Sequence, residues 1–97
     1  MKIEIVCRDY HADEKQTALF LKKLKRLDKY FGAETPARLA LRTEGGQYGM
    51  ELTVQGAQPA RAEAESTDMN KNIDLIIPRI TRQFRKEHTK TIAKREQ

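Results

Sequence analysis

The spacing of apolar residues along this chain switches between two and about 3.6, and the order of the switches leaves few folds open. Ile3, Ile5 and Cys7 alternate with Lys2, Glu4 and Arg8, the mark of a strand with one buried face. That pattern places Cys7 toward the core as a small hydrophobe. Asp13 then opens a helix, with Gln16 completing a capping-box pattern and Gly32 supplying a left-handed stop after Phe31. Within it Phe20, Leu24, Leu27 and Phe31 step by 4, 3 and 4, with Thr17 and Leu21 beside them, as one apolar stripe. Period two returns in Ala37, Leu39 and Leu41, and again in Met50, Leu52 and Val54. The turn Glu44-Gly45-Gly46-Gln47 joins these two runs, because glycine permits the positive φ of a tight hairpin. After a loop over residues 56–59, Ala60, Ala62 and Ala64 form a last alternating run, small enough to let a helix sit close.

Asp68 caps a final helix whose stripe is Met69, Ile73, Ile76, Ile77, Ile80 and Phe84. Pro78 inside it removes a hydrogen bond to Asp74 at a cost of roughly 3 kcal/mol, yet the stripe continues on both sides. A kinked helix is therefore expected, running toward Ile92 and fraying beyond it. The order is β-α-β-β-β-α: one α+β domain over residues 1–97, ordered to about residue 92. It should be a two-layer sandwich, with a four-stranded mixed sheet carrying both helices on one face. The first helix is long enough to make the first two strands parallel neighbours through a right-handed crossover.

Charge is divided along the chain. Residues 15–31 hold six Lys/Arg against one acid and residues 69–97 hold eight against three, so these stretches carry +10 and the remainder −5 of the net +5. Opposite the first stripe stand Lys15, Lys22, Arg26 and Lys29, flanked by Lys23 and Lys25. Opposite the second stands Arg82, with Arg79, Arg85 and Lys86 beside it and Lys90 extending the row. A charge run is commonly just a solvated face, but such faces mix signs, and these do not. One basic surface on two adjacent helices fits a polyanion. Leu19 and Tyr30 lie toward the same outer side, as core flank or as apolar contacts for a base or ribose.

Other chemistry is poorly supplied. Cys7 is the only cysteine, and His11 and His88 show no ligand spacing. No glycine-rich phosphate loop or nucleophile–base set can be drawn, so neither an enzyme, a cofactor, a metal nor a small-molecule substrate is expected. No signal peptide or membrane span is visible, and the lone cysteine fits a cytoplasmic address.

Four segments together resemble the ribosome hibernation-promoting factor family, which includes the ribosome-associated protein Y. They are Met1-Lys2-Ile3-Glu4-Ile5, the run Lys23-Leu24-Lys25-Arg26-Leu27-Asp28-Lys29-Tyr30-Phe31, the strand Ala62-Glu63-Ala64-Glu65, and the closing set Asp68-Met69, Ile73-Asp74 and Arg82-Gln83 followed by Lys86. The likeness spans essentially the whole chain. It implies a fold similar to a double-stranded-RNA-binding domain with an extra first strand. It also implies a translation inhibitor of stressed or stationary-phase cells, bound through ribosomal RNA in the tRNA and mRNA channel of the small ribosomal subunit. Lys23, Arg26, Lys29, Arg79, Arg82 and Lys86 fall on basic or contact positions of the family, and the helical wheel adds Lys22 and Lys90. Asn70 stands where the family usually has Tyr, and Pro78 where it has a helix-compatible residue. The alternatives are a general double-stranded-RNA-binding module and a protein-interaction regulator. The chain has no room for the second domain or C-terminal tail of longer relatives, so a short-form factor is expected, monomeric when free.

Overall fold

The computed structural model describes residues 1–57 and 59–96, with side chains described up to Arg85. The strands are β1 (Lys2–Arg8), β2 (Pro36–Glu44), β3 (Gln47–Val54) and β4 (Ala60–Ser66). The first helical segment comprises α1 (Glu14–Leu24), a 3-10 turn (Lys25–Leu27) and α2 (Asp28–Phe31), and α3 (Met69–Glu96) closes the chain. The sheet order is β1-β2-β3-β4, with β1 parallel to β2 and the other pairs antiparallel. The expected α+β architecture is observed.

Three inward rows cross the sheet: Ile3–Ala37–Val54–Ala60, Ile5–Leu39–Leu52–Ala62 and Cys7–Leu41–Met50–Ala64. Phe20, Leu24 and Leu27 from the first helical segment, and Met69, Ile73, Ile76 and Ile80 from α3, close over them as one core. Burying each large side chain of this set stabilises the fold by about 1.5–3 kcal/mol. The alanines of β4 let α3 lie close over that strand. The Gly45-Gly46 turn has φ of +58° and +79°, the left-handed pair that a two-residue hairpin requires.

The structure departs from the sequence expectation in three places. The single helix expected to end at Phe31 is interrupted by the 3-10 turn. In a 3-10 turn, side chains three apart eclipse, which holds Leu24 and Leu27 over the same part of the core. Cys7 is exposed rather than buried. It lies at the far end of an edge strand, the buried part of α1 begins only at Phe20, and Asp9 at φ +53° ends the strand. Leu21, placed beside the stripe, is 40% exposed. The helix α3 continues through Pro78 as a single element. Its expected fraying beyond about residue 92 falls outside the residues whose side chains are described.

Because β1 and β4 point the same way, the helices that follow them return side by side in the same direction. Gln16 Nε2 donates to Asn70 Oδ1 at 2.8 Å near one end of the pair, and the Tyr30 and Phe84 rings meet at 5.3 Å near the other. The first helix is anchored at its far corner by the Met1 ammonium on Asp28 and at its start by the Asp13 carboxylate, which accepts from Gln16 N. Ser66 and Asn72 tie β4 to α3: Asn72 is fully buried, accepts from Ser66 Oγ at 2.7 Å and donates to the Tyr48 carbonyl at 2.9 Å.

Candidate nucleic-acid interface

The two broad faces of the molecule handle their charges in opposite ways. On the open face of the sheet, nearly every cation has a carboxylate. Arg38 pairs with Glu4, Arg42 with Glu44 and Glu65, and Arg61 with both Glu51 and Glu63, while Lys2 at the margin pairs with Glu34. Arg42, Gly49 and Glu65 lie in one cross-strand row. A Cβ on Gly49 would stand 2.7 Å from the Arg42 guanidinium carbon, so the glycine makes room for Arg42 to lie across β3. This face is charged yet locally neutral.

The helical face is not. Lys15, Lys22, Lys25, Arg26 and Arg82 are exposed and have no hydrogen-bond or ion-pair partner among the described residues. Lys22 sits on α1, Arg26 on the 3-10 turn and Lys29 on α2, so the row expected from one straight helix is carried by three short segments. Lys29 places its ammonium 5.1 Å from the Tyr30 ring centroid, and the Arg85 guanidinium lies 6.0 Å from it on the α3 side. Arg85 also donates to the Tyr30 hydroxyl at 3.4 Å. That hydrogen bond, with Lys29 nearby, holds the hydroxyl below the ordinary tyrosine range. Tyr30 thus joins the two basic rows, with cations of both helices around one aromatic ring.

Two of the residues proposed from sequence are already engaged within the fold. Lys23 is ion-paired with Asp74 across the helix–helix seam at 2.7 Å and is 26% exposed. Arg79 turns toward the sheet and donates to the Glu63 carbonyl at 2.6 Å. Beside it Gln83 Oε1 accepts from Arg61 N at 2.6 Å, so side chains of α3 cover the outer backbone groups of β4. Lys22, Arg26, Lys29 and Arg82 stand on the open helical surface, and Arg85 joins them. Lys86 and Lys90 lie outside the residues whose side chains are described. Asp74 and the seam contacts are separated by more than fifty residues in sequence from their partners, and a helical wheel drawn for one helix carries no sign of them. The tilt of Arg79 toward β4 has the same origin.

Nothing else among the described residues competes as a site. No group of three or more His, Cys, Asp or Glu residues there could hold a metal ion, and no helix is long and apolar enough to cross a membrane. What the helical surface can do is bind phosphates: among the described residues it has several free cations, one aromatic ring, and no carboxylate paired to those cations.

Comparison with known proteins agrees with this architecture. The chain is similar to the crystal structure of the Thermus thermophilus Protein Y N-terminal domain, at 27% identity and a TM-score of 0.77, covering 89% of this chain and 98% of that one. It shares its fold with the structure of a ribosomal subunit interface protein from Coxiella burnetii, at 21% identity and a TM-score of 0.80, covering 92% of this chain and 99% of that one. A search of curated proteins found no match. The family model described as sigma 54 modulation protein / S30EA ribosomal protein matches residues 3–92, nearly the whole chain, and the protein therefore belongs to that family.

Proposed function

We propose that this protein is a cytoplasmic translation inhibitor that binds the small ribosomal subunit through ribosomal RNA. Its helical face lies against the RNA and its bulk fills the channel that tRNA and mRNA would use. The observation that carries this reading is the contrast between faces. Four of the five cations outside the two basic stretches are neutralised by carboxylates, whereas Lys22, Arg26, Lys29 and Arg82 have none among the described residues. Unpaired cations held side by side repel one another, and a polyanion relieves that repulsion while releasing its own counterions. Family membership and the likeness to a Protein Y domain support the ribosome as the source of that polyanion. Inhibition then follows from occlusion and needs no catalytic group.

Co-sedimentation of the purified chain with small subunits tests the reading. Binding is expected at low salt and should weaken steeply as salt rises. Failure to co-sediment at low salt would falsify it, and equal affinity for free RNA duplexes would favour a general duplex-binding module instead.

A further inference from the structure

At the end of the paired helices where both begin, the surface holds an open pocket of about 360 Å³ that the basic ridge does not account for. Tyr10 forms a fixed wall: its ring packs edge-on against Tyr48 at 5.6 Å and its hydroxyl donates to Gln16 Oε1 at 2.5 Å. Gln16 in turn donates to Asn70 Oδ1, which leaves the exposed Asn70 Nδ2 as a donor with no partner among the described residues. Leu19 and His11 add an apolar surface and a flat ring, while Lys15 and the Asp13 carboxylate, which caps α1 through Gln16 N, complete the lining. Lys15, Leu19, Lys22 and Arg26 step by 4, 3 and 4, so the cavity opens on the same side as the free cations.

The size and mixed polar and apolar lining suit one small planar group that carries hydrogen-bonding edges. A volume of a few hundred Å³ holds one planar ring and part of a sugar. Flat rings and an aliphatic side chain set among hydrogen-bonding groups are what an unstacked base requires, whereas a continuous duplex offers no such base. We propose that this cavity receives a single unstacked nucleobase of the RNA whose phosphates lie along Lys22 and Arg26. The proposal rests on the RNA-binding reading and deepens it, because it makes the domain a reader of single-stranded or looped RNA.

The test is a titration of the isotopically labelled full chain, followed by amide and side-chain NMR shifts. The probes are AMP, GMP, CMP and UMP, with ribose 5-phosphate as the control that has phosphate and sugar but no base. At least one nucleotide should give saturable shifts at Gln16, Leu19 and the Asn70 side chain, several-fold larger than those from ribose 5-phosphate. Asn70→Trp, an exposed position where a large ring fills the cavity, should abolish those shifts while the sheet amides keep their positions. Three results overturn the proposal: no response of the cavity to any nucleotide, an equal response to ribose 5-phosphate, or shifts that survive Asn70→Trp. Shifts confined to Lys22 and Arg26 also overturn it, yet leave the RNA-binding reading standing, since small-subunit co-sedimentation is measured independently.

Discussion

Asn72 shows how one residue can hold two layers together. It is fully buried among apolar neighbours, and its amide bonds the Tyr48 carbonyl and the Ser66 hydroxyl. Asn72→Ala removes both partners and opens a small void, so a loss of about 2–3 kcal/mol is expected in urea unfolding. A change below about 0.5 kcal/mol would contradict this role, because that is the range of a surface substitution. Tyr30 offers a second measurement at the same scale. Its hydroxyl titrates below the ordinary tyrosine range because Arg85 donates to it and Lys29 stands close. Arg85→Gln should move that titration upward, visible in the ultraviolet absorbance of tyrosinate as pH is raised. The shift is downward in the folded state, so the contact adds stability only as pH enters the alkaline tyrosinate range and none at neutral pH. An unchanged titration would separate Arg85 from Tyr30 in solution.

Among elements, the helical rows and the sheet face differ in what they have left to offer a partner. Reversing Arg26 and Arg82 to Glu is expected to reduce ribosome co-sedimentation at least tenfold with little change in unfolding, since both side chains are exposed and unpaired among the described residues. Reversing Glu63 and Glu65 to Lys breaks exposed ion pairs with Arg61 and Arg42, each worth about 0–1 kcal/mol, and should leave ribosome binding in place. Equal losses from the two pairs of substitutions would remove the helical surface as the binding face. Much of this arrangement was legible in the chain. Alternation marks one face of a strand, and the runs around Leu39, Leu52 and Ala62 fell on the inner face as expected. The capping carboxylate of Asp13 and the positive-φ pair Gly45-Gly46 also stood out, because their physics is local. What could not be read was long-range. Cys7 had the right parity for burial but sits exposed near the end of an edge strand, and Lys23 and Arg79 had the right charge but partners on other elements. The turn at Lys25–Leu27 was hidden because a stripe spaced 4, 3, 4 fits an unbroken helix equally well.

Taken as a whole, the molecule has one face that can accept a polyanion and one that has neutralised itself. That asymmetry limits what a single copy can do on a particle as large as a ribosome. Each phosphate contact releases counterions, so the logarithm of affinity should fall linearly with the logarithm of salt, and removing Arg26 alone should lower that slope by roughly one. Bridging two ribosomes needs either a second RNA-binding face or a self-associating surface. The open sheet face is a poor candidate for the first, because all its cations but Arg8 are held by Glu4, Glu44, Glu51, Glu63 and Glu65. It is a poor candidate for the second, since Val6 and Leu21 are the only large hydrophobic side chains exposed among the described residues and form no broad apolar patch. This domain is therefore expected to be mainly monomeric when free, and to occupy single ribosomes without joining them. A gradient of pure ribosomes mixed with the pure chain measures this directly. The expected result is the chain co-migrating with small subunits and single ribosomes, and a loss of tRNA binding in proportion to its occupancy. A prominent ribosome-dimer peak in the absence of any other factor would show a second contact surface that neither face of the fold supplies.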